Sequence, residues 1–369
     1  MAPSGPGRAR VLPLFHHIRK HWSLLLKLTA QYEIWPRLLG RVCLLPALLV
    51  ARPAEAAAAA RGEPEILLGG QAVLEGVMMR APRSYCVAVR TRNGIVQKRE
   101  ALPRPQDRWR GWRLPLLRGL ATLGQSLVLG MRALRFSADV ALEEESEATG
   151  KKQELPGWML ALQIVFSLAF FIFLYKYIPL VVATWFENRG LEGGWLGFNF
   201  IDGVVRIGLF LAFVAGVSLW SDIRRVYEYH GAEHMVVYNW EAGQPVSIEN
   251  ARGFRPEHPR CGTSFLMVVL LVALVTYTLV PVQTFGLRLL VRVLLLPLIA
   301  GVSYEIIRAA GRHRESAFWR AAVAPGMWLQ RAVTTRKPVD DQLEVAIRAL
   351  EGALEVERAV TEPAPATVN

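Results

Sequence analysis

The sequence predicts an α-helical polytopic membrane protein of about four transmembrane helices with a small cytoplasmic α+β domain that contains a β-hairpin. Composition is the first observation: 52% of the 369 residues are hydrophobic and 20% are charged. The mean hydropathy is +0.26, which argues against a soluble domain because the apolar residues fall in long uncharged runs. The hairpin is predicted by Asn93-Gly94, which separates two segments of alternating polarity and favours a tight two-residue turn.

Four apolar runs are candidate transmembrane helices. The first, residues 158–185, contains one charged residue, Lys176, and is long enough to cross a hydrocarbon core that needs about 20 apolar residues. The other three runs are residues 204–220, 264–282 and 287–307. Because Arg288 and Arg292 lie in the fourth run, we expect their side chains to snorkel or to face protein. Otherwise the runs carry little charge and show no inverted repeat, which argues against a transporter.

The distribution of Lys and Arg predicts the orientation. Of the net charge of +12, much lies before the first run, in the segment 222–262 and after the fourth run, whereas the segment 187–199 carries a single basic residue, Arg189. The positive-inside rule then predicts a multi-pass protein of the cytoplasmic (inner) membrane with both termini cytoplasmic. The lipid bilayer is the expected partner. A nucleic-acid partner is not expected, because aromatic residues do not alternate with the basic ones.

We divide the chain into five regions. They are a variable N-terminal arm and linker (1–64), a cytoplasmic β-hairpin domain (65–112), an interfacial helix and hinge (113–157), a transmembrane domain (158–308) with a cytoplasmic polar loop (222–262), and cytoplasmic C-terminal helices with a disordered tail (309–369). Whether residues 1–64 belong to the mature protein stays open. The three cysteines show no disulfide framework, which fits a reducing compartment.

The polar loop contains an H-x-x-E-H motif formed by His230, Glu233 and His234. If this segment is helical, a turn of about 100° per residue places the three side chains on one face. The spacing is the inverted form of the zinc-hydrolase helix, in which two imidazoles bind a metal and the carboxylate acts on its water. We therefore predict His230 and His234 as metal ligands and Glu233 as the catalytic general base.

His258 and Cys261 form a second candidate ligand pair before the third run. Imidazole and thiolate are the usual zinc donors, so the predicted cofactor is a divalent metal, with zinc favoured. Two imidazoles with one thiolate, or three imidazoles, would leave a fourth position open, whereas four protein ligands would make a closed structural site. A reading without metal also stays open: His230 and His234 would then do no more than form hydrogen bonds to carbonyls or headgroups, and Cys261 would be a buried residue of the core.

Two carboxylates are further candidates for the site, Glu75 and Glu305. Glu75 lies in a glycine-rich apolar segment that is also typical of a strand and turn in the core of the small domain. Glu305 lies at the cytoplasmic end of the fourth run, where it could serve the site or pair with Arg308 one turn later.

Four separated motifs resemble the bacterial YqhQ-like membrane protein family. They are GGQAVLEGVMMR (69–80), YHGAEH (229–234), HPRCGTSF (258–265) and WLQRAVTTRKP (328–338). The resemblance covers about residues 66–354, with Met235 where the family usually has lysine. It implies a cytoplasmic-membrane protein with a domain of unknown function, described as a predicted metal-dependent enzyme, and it implies no substrate.

Two functions follow from the sequence. The first is a metal-dependent hydrolase whose substrate, a lipid or a membrane peptide, is reached from the cytoplasmic leaflet. The alternative is a non-enzymatic membrane scaffold or biogenesis factor with a protein partner and a structural metal, or with no metal. Glu233 discriminates between them, because hydrolysis requires this carboxylate whereas metal binding does not.

Overall fold

The computed structural model describes residues 68–149, 157–191, 193–282, 284–313 and 316–361. The N-terminal arm predicted over residues 1–64 and the tail beyond residue 361 lie outside the described residues.

A four-stranded antiparallel sheet opens the described chain, with the strands in sequence order. The strands are β1 (Gly69–Val73), β2 (Gly76–Arg80), β3 (Ser84–Thr91) and β4 (Gly94–Ala101). The predicted hairpin is confirmed as the β3–β4 pair, in which Thr91 lies opposite Gly94. The turn residues are Arg92 and Asn93, one position earlier than predicted, and Gly94 takes the positive φ of 130° that glycine tolerates.

Ten helices of ten or more residues follow the sheet in the part of the chain described. They are α1 (Leu117–Thr149), α2 (Gly157–Ile172), α3 (Ile178–Glu187), α4 (Gly194–Val217), α5 (Ser221–Glu241), α6 (Gly262–Thr278), α7 (Phe285–Leu294), α8 (Leu296–Arg312), α9 (Ala317–Leu329) and α10 (Asp340–Thr361). A π-helical turn, Phe173–Tyr177, joins α2 to α3, and a second, Gln330–Thr334, follows α9.

Helices cover both faces of the sheet. Val77, Met79 and Cys86 face one core, which α5 and α10 complete. Met78 and Val87 face a second core, which α1 completes. This arrangement explains why the first six residues of β3 are all buried instead of alternating. It also shows that the small domain is built from distant parts of the chain, since α5 and α10 lie far beyond the predicted 65–112 segment.

Two continuous helical segments are long and apolar enough to cross a membrane, Leu162–Glu187 and Gly194–Val217. A third candidate is the pair α7 and α8, which is bent by 45° at the break between them. The fourth predicted run corresponds to this pair, and the third corresponds to α6, a shorter apolar helix of 17 residues. The structure is thus mostly helical with two to three candidate spans.

Candidate metal centre

Helix α5 positions the two histidines of the H-x-x-E-H motif. The segment predicted as a polar loop is helical here, and the apolar side of α5 packs in the sheet core through Tyr229, Ala232 and Val236. His230 and His234 lie one turn apart with ring centroids separated by 4.4 Å. The helical geometry assumed for the motif is therefore confirmed, and both rings point to one side of the helix.

Each of the two imidazoles is oriented by a backbone carbonyl. Nδ1 of His230 lies 2.7 Å from the carbonyl oxygen of Thr334, and Nδ1 of His234 lies 2.6 Å from that of Pro256. A carbonyl can only accept, so both rings carry their proton on Nδ1 when neutral and leave the Nε2 lone pair available. This orientation is typical of metal-binding histidines, whose second nitrogen donates to a carbonyl or carboxylate.

Cys261 provides the third group, from the residue that caps the N-terminus of α6. Its Sγ lies 3.1 Å from Nε2 of His230 and accepts a hydrogen bond of 3.4 Å from the backbone N–H of Thr263. The positive end of the helix dipole and this N–H both favour a thiolate. The side chain is 8% exposed, so the thiolate is held away from bulk solvent.

The pKa values of His230 and Cys261 are shifted toward an ion pair. Burial raises the pKa of Cys261, but the two imidazoles outweigh it and hold the pKa well below its usual range. Burial lowers the pKa of His230, but the thiolate of Cys261, with Glu233 and the Thr334 carbonyl, outweighs it and raises the pKa to about 9. Mutual stabilisation of opposite charges is the cause in both groups.

The three donor atoms lie close enough together to hold a metal ion. The ligand atoms of His230, His234 and Cys261 all lie within 4.8 Å of one another. Zinc binding would draw the donors slightly closer than this upper bound, because Zn–N and Zn–S bonds are about 2.0 to 2.3 Å long and two ligands of one ion are then at most about 4.6 Å apart. Two imidazoles and one thiolate form a soft donor set that favours zinc over magnesium or calcium.

Glu233 lies beside these donors. Its Oε2 is 3.6 Å from Nε2 of His234, and the residue is 5% exposed. Gly70 of β1 makes room for it, since a Cβ at that position would lie 2.6 Å from Cγ of Glu233. The first glycine-rich motif thus meets the H-x-x-E-H motif, and the lack of a side chain at Gly70 leaves room for the Glu233 carboxylate near Nε2 of His234.

His258 lies next to the cluster, but its ring nitrogens face other groups. Nδ1 accepts a hydrogen bond of 3.3 Å from the backbone N–H of Arg260, and Nε2 lies 3.6 Å from a carboxylate oxygen of Glu241. The structure therefore brings together His230, His234 and Cys261 and places the fourth predicted ligand in a neighbouring ion-pair group. Its ring centroid is 5.7 Å from that of His234.

The two additional carboxylates are engaged in ion pairs. Glu75 occupies the β1–β2 turn, where it accepts hydrogen bonds from Arg225 at 2.6 Å and from the hydroxyl of Tyr229 at 3.2 Å. Glu305 accepts a hydrogen bond of 2.7 Å from Nε of Arg118 and a second hydrogen bond from Nη2 of the same guanidinium group. Neither belongs to the three-residue cluster, and the partner of Glu305 is Arg118, on α1.

Sequence reasoning assigned no role to Gln330, which fixes the segment that leads to Cys261. Its side-chain amide forms hydrogen bonds with both backbone groups of His258. The amide oxygen accepts a hydrogen bond of 2.8 Å from the His258 N–H, and the amide nitrogen donates one of 3.0 Å to the His258 carbonyl. Gln330 begins the second π-helical turn, whose last residue, Thr334, orients His230. The only sequence signal was its place in the fourth motif. The contacts of the Pro256 and Thr334 carbonyls with the two histidines could not be predicted from sequence, because every residue has a backbone carbonyl.

The fold and the cluster define a mostly helical protein with a small four-stranded sheet and a group of two histidines and one cysteine able to hold a metal. The chain belongs to the family described as "Protein of unknown function (DUF1385)", whose model matches residues 114–356. It is 31% identical over 298 residues to the "Uncharacterized protein YqhQ" of Bacillus subtilis (strain 168), covering 78% of this chain and 92% of that protein. The YqhQ-like resemblance is thus confirmed. No solved structure matches the chain.

Proposed function

We propose that this protein is a multi-pass protein of the cytoplasmic membrane with a zinc centre at its cytoplasmic face, where it hydrolyses a lipid or a membrane peptide. The observation that carries the proposal is the convergence of His230, His234 and Cys261, with Glu233 beside them. The proposal comprises three steps: membrane placement, metal binding and hydrolysis.

The exposed faces of the first two candidate spans support membrane placement. Only 17% of the most apolar window of Leu162–Glu187 is buried inside the protein. Phe166 and Leu168 on this segment are 70% and 62% exposed. An exposed apolar surface of this length fits lipid contact better than water.

The charge distribution supports a cytoplasmic site. With four crossings and both termini inside, the start of α5 and the start of α6 lie on the same side of the bilayer. His230 and His234 follow α4, and Cys261 precedes α6. A substrate in the cytoplasmic leaflet would therefore be near the cluster.

Metal binding rests on the ordered donors. Both Nδ1 atoms are occupied by carbonyls, and the thiolate is favoured by the α6 N-terminus. Three protein ligands would leave one coordination position open, and a zinc ion held by them would lower the pKa of a bound water to about 7.

Hydrolysis rests on Glu233. A carboxylate 3.6 Å from a ligand nitrogen can accept the proton of an attacking water and return it to the leaving group. Gly70 leaves the space that this side chain occupies next to His234, since a Cβ there would lie 2.6 Å from Cγ of Glu233.

The second candidate function is a non-enzymatic scaffold with a structural metal, and the burial of the donor side chains favours it. His234 is 2% exposed and Cys261 is 8% exposed, so a substrate must displace some cover before it reaches the cluster. A metal here would also tie α5 to the start of α6, which are 31 residues apart at His230 and Cys261.

Two measurements on the detergent-purified full chain separate these functions. Metal content is measured in wild type, His230→Ala, His234→Ala and Glu233→Gln. Zinc-loaded wild type and Glu233→Gln are then incubated with a bacterial membrane-lipid extract or a panel of transmembrane peptides, and products are identified by mass spectrometry. We expect about one zinc per chain in wild type and Glu233→Gln, loss in both histidine variants, and products from wild type only.

Two other outcomes would reject part or all of the proposal. Zinc retained in wild type and Glu233→Gln with identical product profiles would reject hydrolysis and support the scaffold. A wild-type protein that stays metal-free when zinc is supplied would reject both metal-based functions.

A further inference from the structure

Helix α1, which occupies the region expected to hold an interfacial helix, carries an exposed row of large apolar side chains. Leu127, Val128, Met131 and Leu134 are 69%, 55%, 43% and 39% exposed. At a turn of about 100° per residue, these four residues fall within about a third of the helix circumference. We call them the α1 stripe. Single exposed hydrophobic residues are normal, but a contiguous row on one helix face indicates an interaction surface.

The α1 stripe is not the face that α1 uses inside the protein. Leu129 and Ala133 of the same helix are buried in the second core of the sheet. Ala133 lies about 160° around the helix from Met131. Helix α1 therefore has two apolar faces, of which one completes the core and the other stays exposed on the described part of the chain.

Both ends of α1 are held near candidate membrane spans. At its start, Nε of Arg118 donates a hydrogen bond of 2.7 Å to Glu305 in the second half of α8. At its end, Thr149 precedes Gly157, the first residue of α2, by eight positions, which a chain can stretch over at most about 28 Å. Helix α1 is itself about 50 Å long. It therefore cannot point straight away from a bilayer that these spans cross, whereas a course along the bilayer surface satisfies both ends.

The segment that leads into α1 has the composition of a membrane-interface anchor. Residues 104–118 contain five arginines and one acidic residue. Trp109 packs edge to face against Trp112, with ring centroids 5.0 Å apart, and is still 54% exposed. Arg110 and Arg113 are exposed beside them. Tryptophan is enriched at the level of lipid headgroups, and clustered arginines attract the anionic lipids of the cytoplasmic leaflet.

We propose that α1 lies on the cytoplasmic leaflet, with the α1 stripe among the acyl chains and with Arg110 and Arg113 on anionic phospholipid headgroups. An apolar helix face beside a basic segment is the chemistry that binds an anionic bilayer surface. The proposal rests on the membrane placement in the proposed function, but not on the metal or on hydrolysis. Through this contact α1 would attach the sheet, whose second core it completes, to the bilayer.

Electron paramagnetic resonance on the full chain in lipid nanodiscs tests this placement. The lipid is phosphatidylcholine with about a quarter phosphatidylglycerol, which supplies the anionic headgroups. A nitroxide is attached through p-azidophenylalanine in place of Leu127, Leu134 or Asp139, one position at a time, so that the cysteines stay unchanged. Asp139 is the matched control, because it is exposed on the same helix but lies about 120° from Leu127 and 140° from Leu134.

Collision with oxygen measures exposure of the nitroxide to lipid, and collision with a nickel chelate measures exposure to water. The labels at Leu127 and Leu134 should be at least about fivefold less accessible to nickel than the label at Asp139, and more accessible to oxygen. Equal nickel accessibility at all three positions would overturn the proposal. Protection of Leu127 and Leu134 from both reagents would also overturn it, because a protein segment or a second copy of the chain would then cover the α1 stripe.

A label at Phe166 separates this proposal from the membrane placement on which it rests. Phe166 lies on the first candidate span and is 70% exposed, so its label should contact oxygen and not nickel. Nickel contact at Phe166 would reject the membrane placement itself, and the α1 proposal with it. Lipid contact at Phe166 together with water contact at Leu127 would reject the α1 proposal alone.

The double variant Arg110→Gln/Arg113→Gln tests the headgroup contact. In nanodiscs of phosphatidylcholine alone, nickel accessibility at Leu127 should rise at least about twofold, because the attraction to anionic headgroups is lost. The double variant should show the same rise in the anionic nanodiscs, whereas Arg110→Lys/Arg113→Lys, which keeps both charges, should not. Equal nickel accessibility at Leu127 in the two lipid compositions would overturn the role of the anionic headgroups.

Discussion

Nε2 of His230 lies 3.1 Å from Sγ of Cys261, although the two residues belong to different helices and are 31 positions apart. Each also has a second polar partner: His230 contacts the Thr334 carbonyl, and Cys261 contacts both the backbone N–H and the hydroxyl of Thr263. This pair is therefore held from both sides, and a metal would replace a direct imidazole–thiolate contact with two coordination bonds.

Thiol reactivity should reveal this arrangement. In a Cys43→Ser background, metal-free protein should react with iodoacetamide at Cys261 and not at Cys86. Burial raises the pKa of Cys86 to about 11, whereas the imidazoles keep Cys261 ionised near neutral pH. Zinc should slow the labelling of Cys261 at least about tenfold, because a coordinated thiolate is shielded. Equal labelling rates with and without zinc would contradict coordination by Cys261, and peptide mass spectrometry gives both rates.

His258 should not be required for zinc. Its nitrogens face Arg260 and Glu241, so His258→Gln should bind the same amount of zinc as wild type. Its unfolding midpoint should fall modestly, because a buried polar contact is lost. His234→Gln is the matched variant and should lose zinc. Loss of zinc in His258→Gln with a normal unfolding midpoint would make His258 a ligand after all.

Gly231 should be essential for the contact between α5 and the segment after α9. A Cβ at this position would lie 2.0 Å from the Arg336 carbonyl oxygen, a backbone atom that cannot move alone. Gly231→Ala should therefore cost about 1–3 kcal/mol of unfolding free energy and weaken zinc binding, since Thr334 would be displaced from His230. Unfolding midpoints and zinc titration measure both effects.

Gly124→Ala is the control for that substitution. Gly124 lies exposed in α1, and a Cβ added there would meet no atom within 4 Å, so alanine should stabilise the helix by up to about 1 kcal/mol. If Gly231→Ala behaves like this control, the close approach to Arg336 does not exist in the protein.

Glu305 should act as an ion-pair partner of Arg118 and have no effect on zinc. Arg118→Met leaves a buried carboxylate without its main donor and should destabilise the protein by about 1–3 kcal/mol. The double variant Arg118→Met/Glu305→Leu should recover part of this loss, because both polar groups are then removed. Thermal unfolding measures the cycle. Zinc content should be normal in Glu305→Gln, and a loss there would place Glu305 at the metal.

The sequence predicted the parts of this protein that depend on local pattern. Asn93-Gly94 predicted the β3–β4 hairpin, the apolar runs predicted the positions of long helices, and H-x-x-E-H placed two imidazoles on one face of α5. Hydrophobic periodicity and turn chemistry act over a few residues, so they can be read from sequence alone.

The remaining features depend on tertiary contacts. His258-x-x-Cys261 looked like one ligand pair, but the chain after Pro259 turns so that Cys261 faces His230 while His258 faces Glu241. Lys176 and Tyr277, whose side chains share a hydrogen bond of 2.9 Å, lie about a hundred residues apart in the chain, and no local pattern indicates that contact. Covering of the sheet by α10 likewise depends on a contact between the two ends of the described chain.

X-ray absorption at the zinc K edge tests the central claim most directly. We predict that the purified full chain with one equivalent of zinc shows one sulfur at about 2.3 Å and imidazole nitrogens at about 2.0 to 2.1 Å. In Cys261→Ser the sulfur contribution should disappear. A zinc environment without sulfur in wild type, or one that is unchanged in Cys261→Ser, would contradict a centre formed by His230, His234 and Cys261.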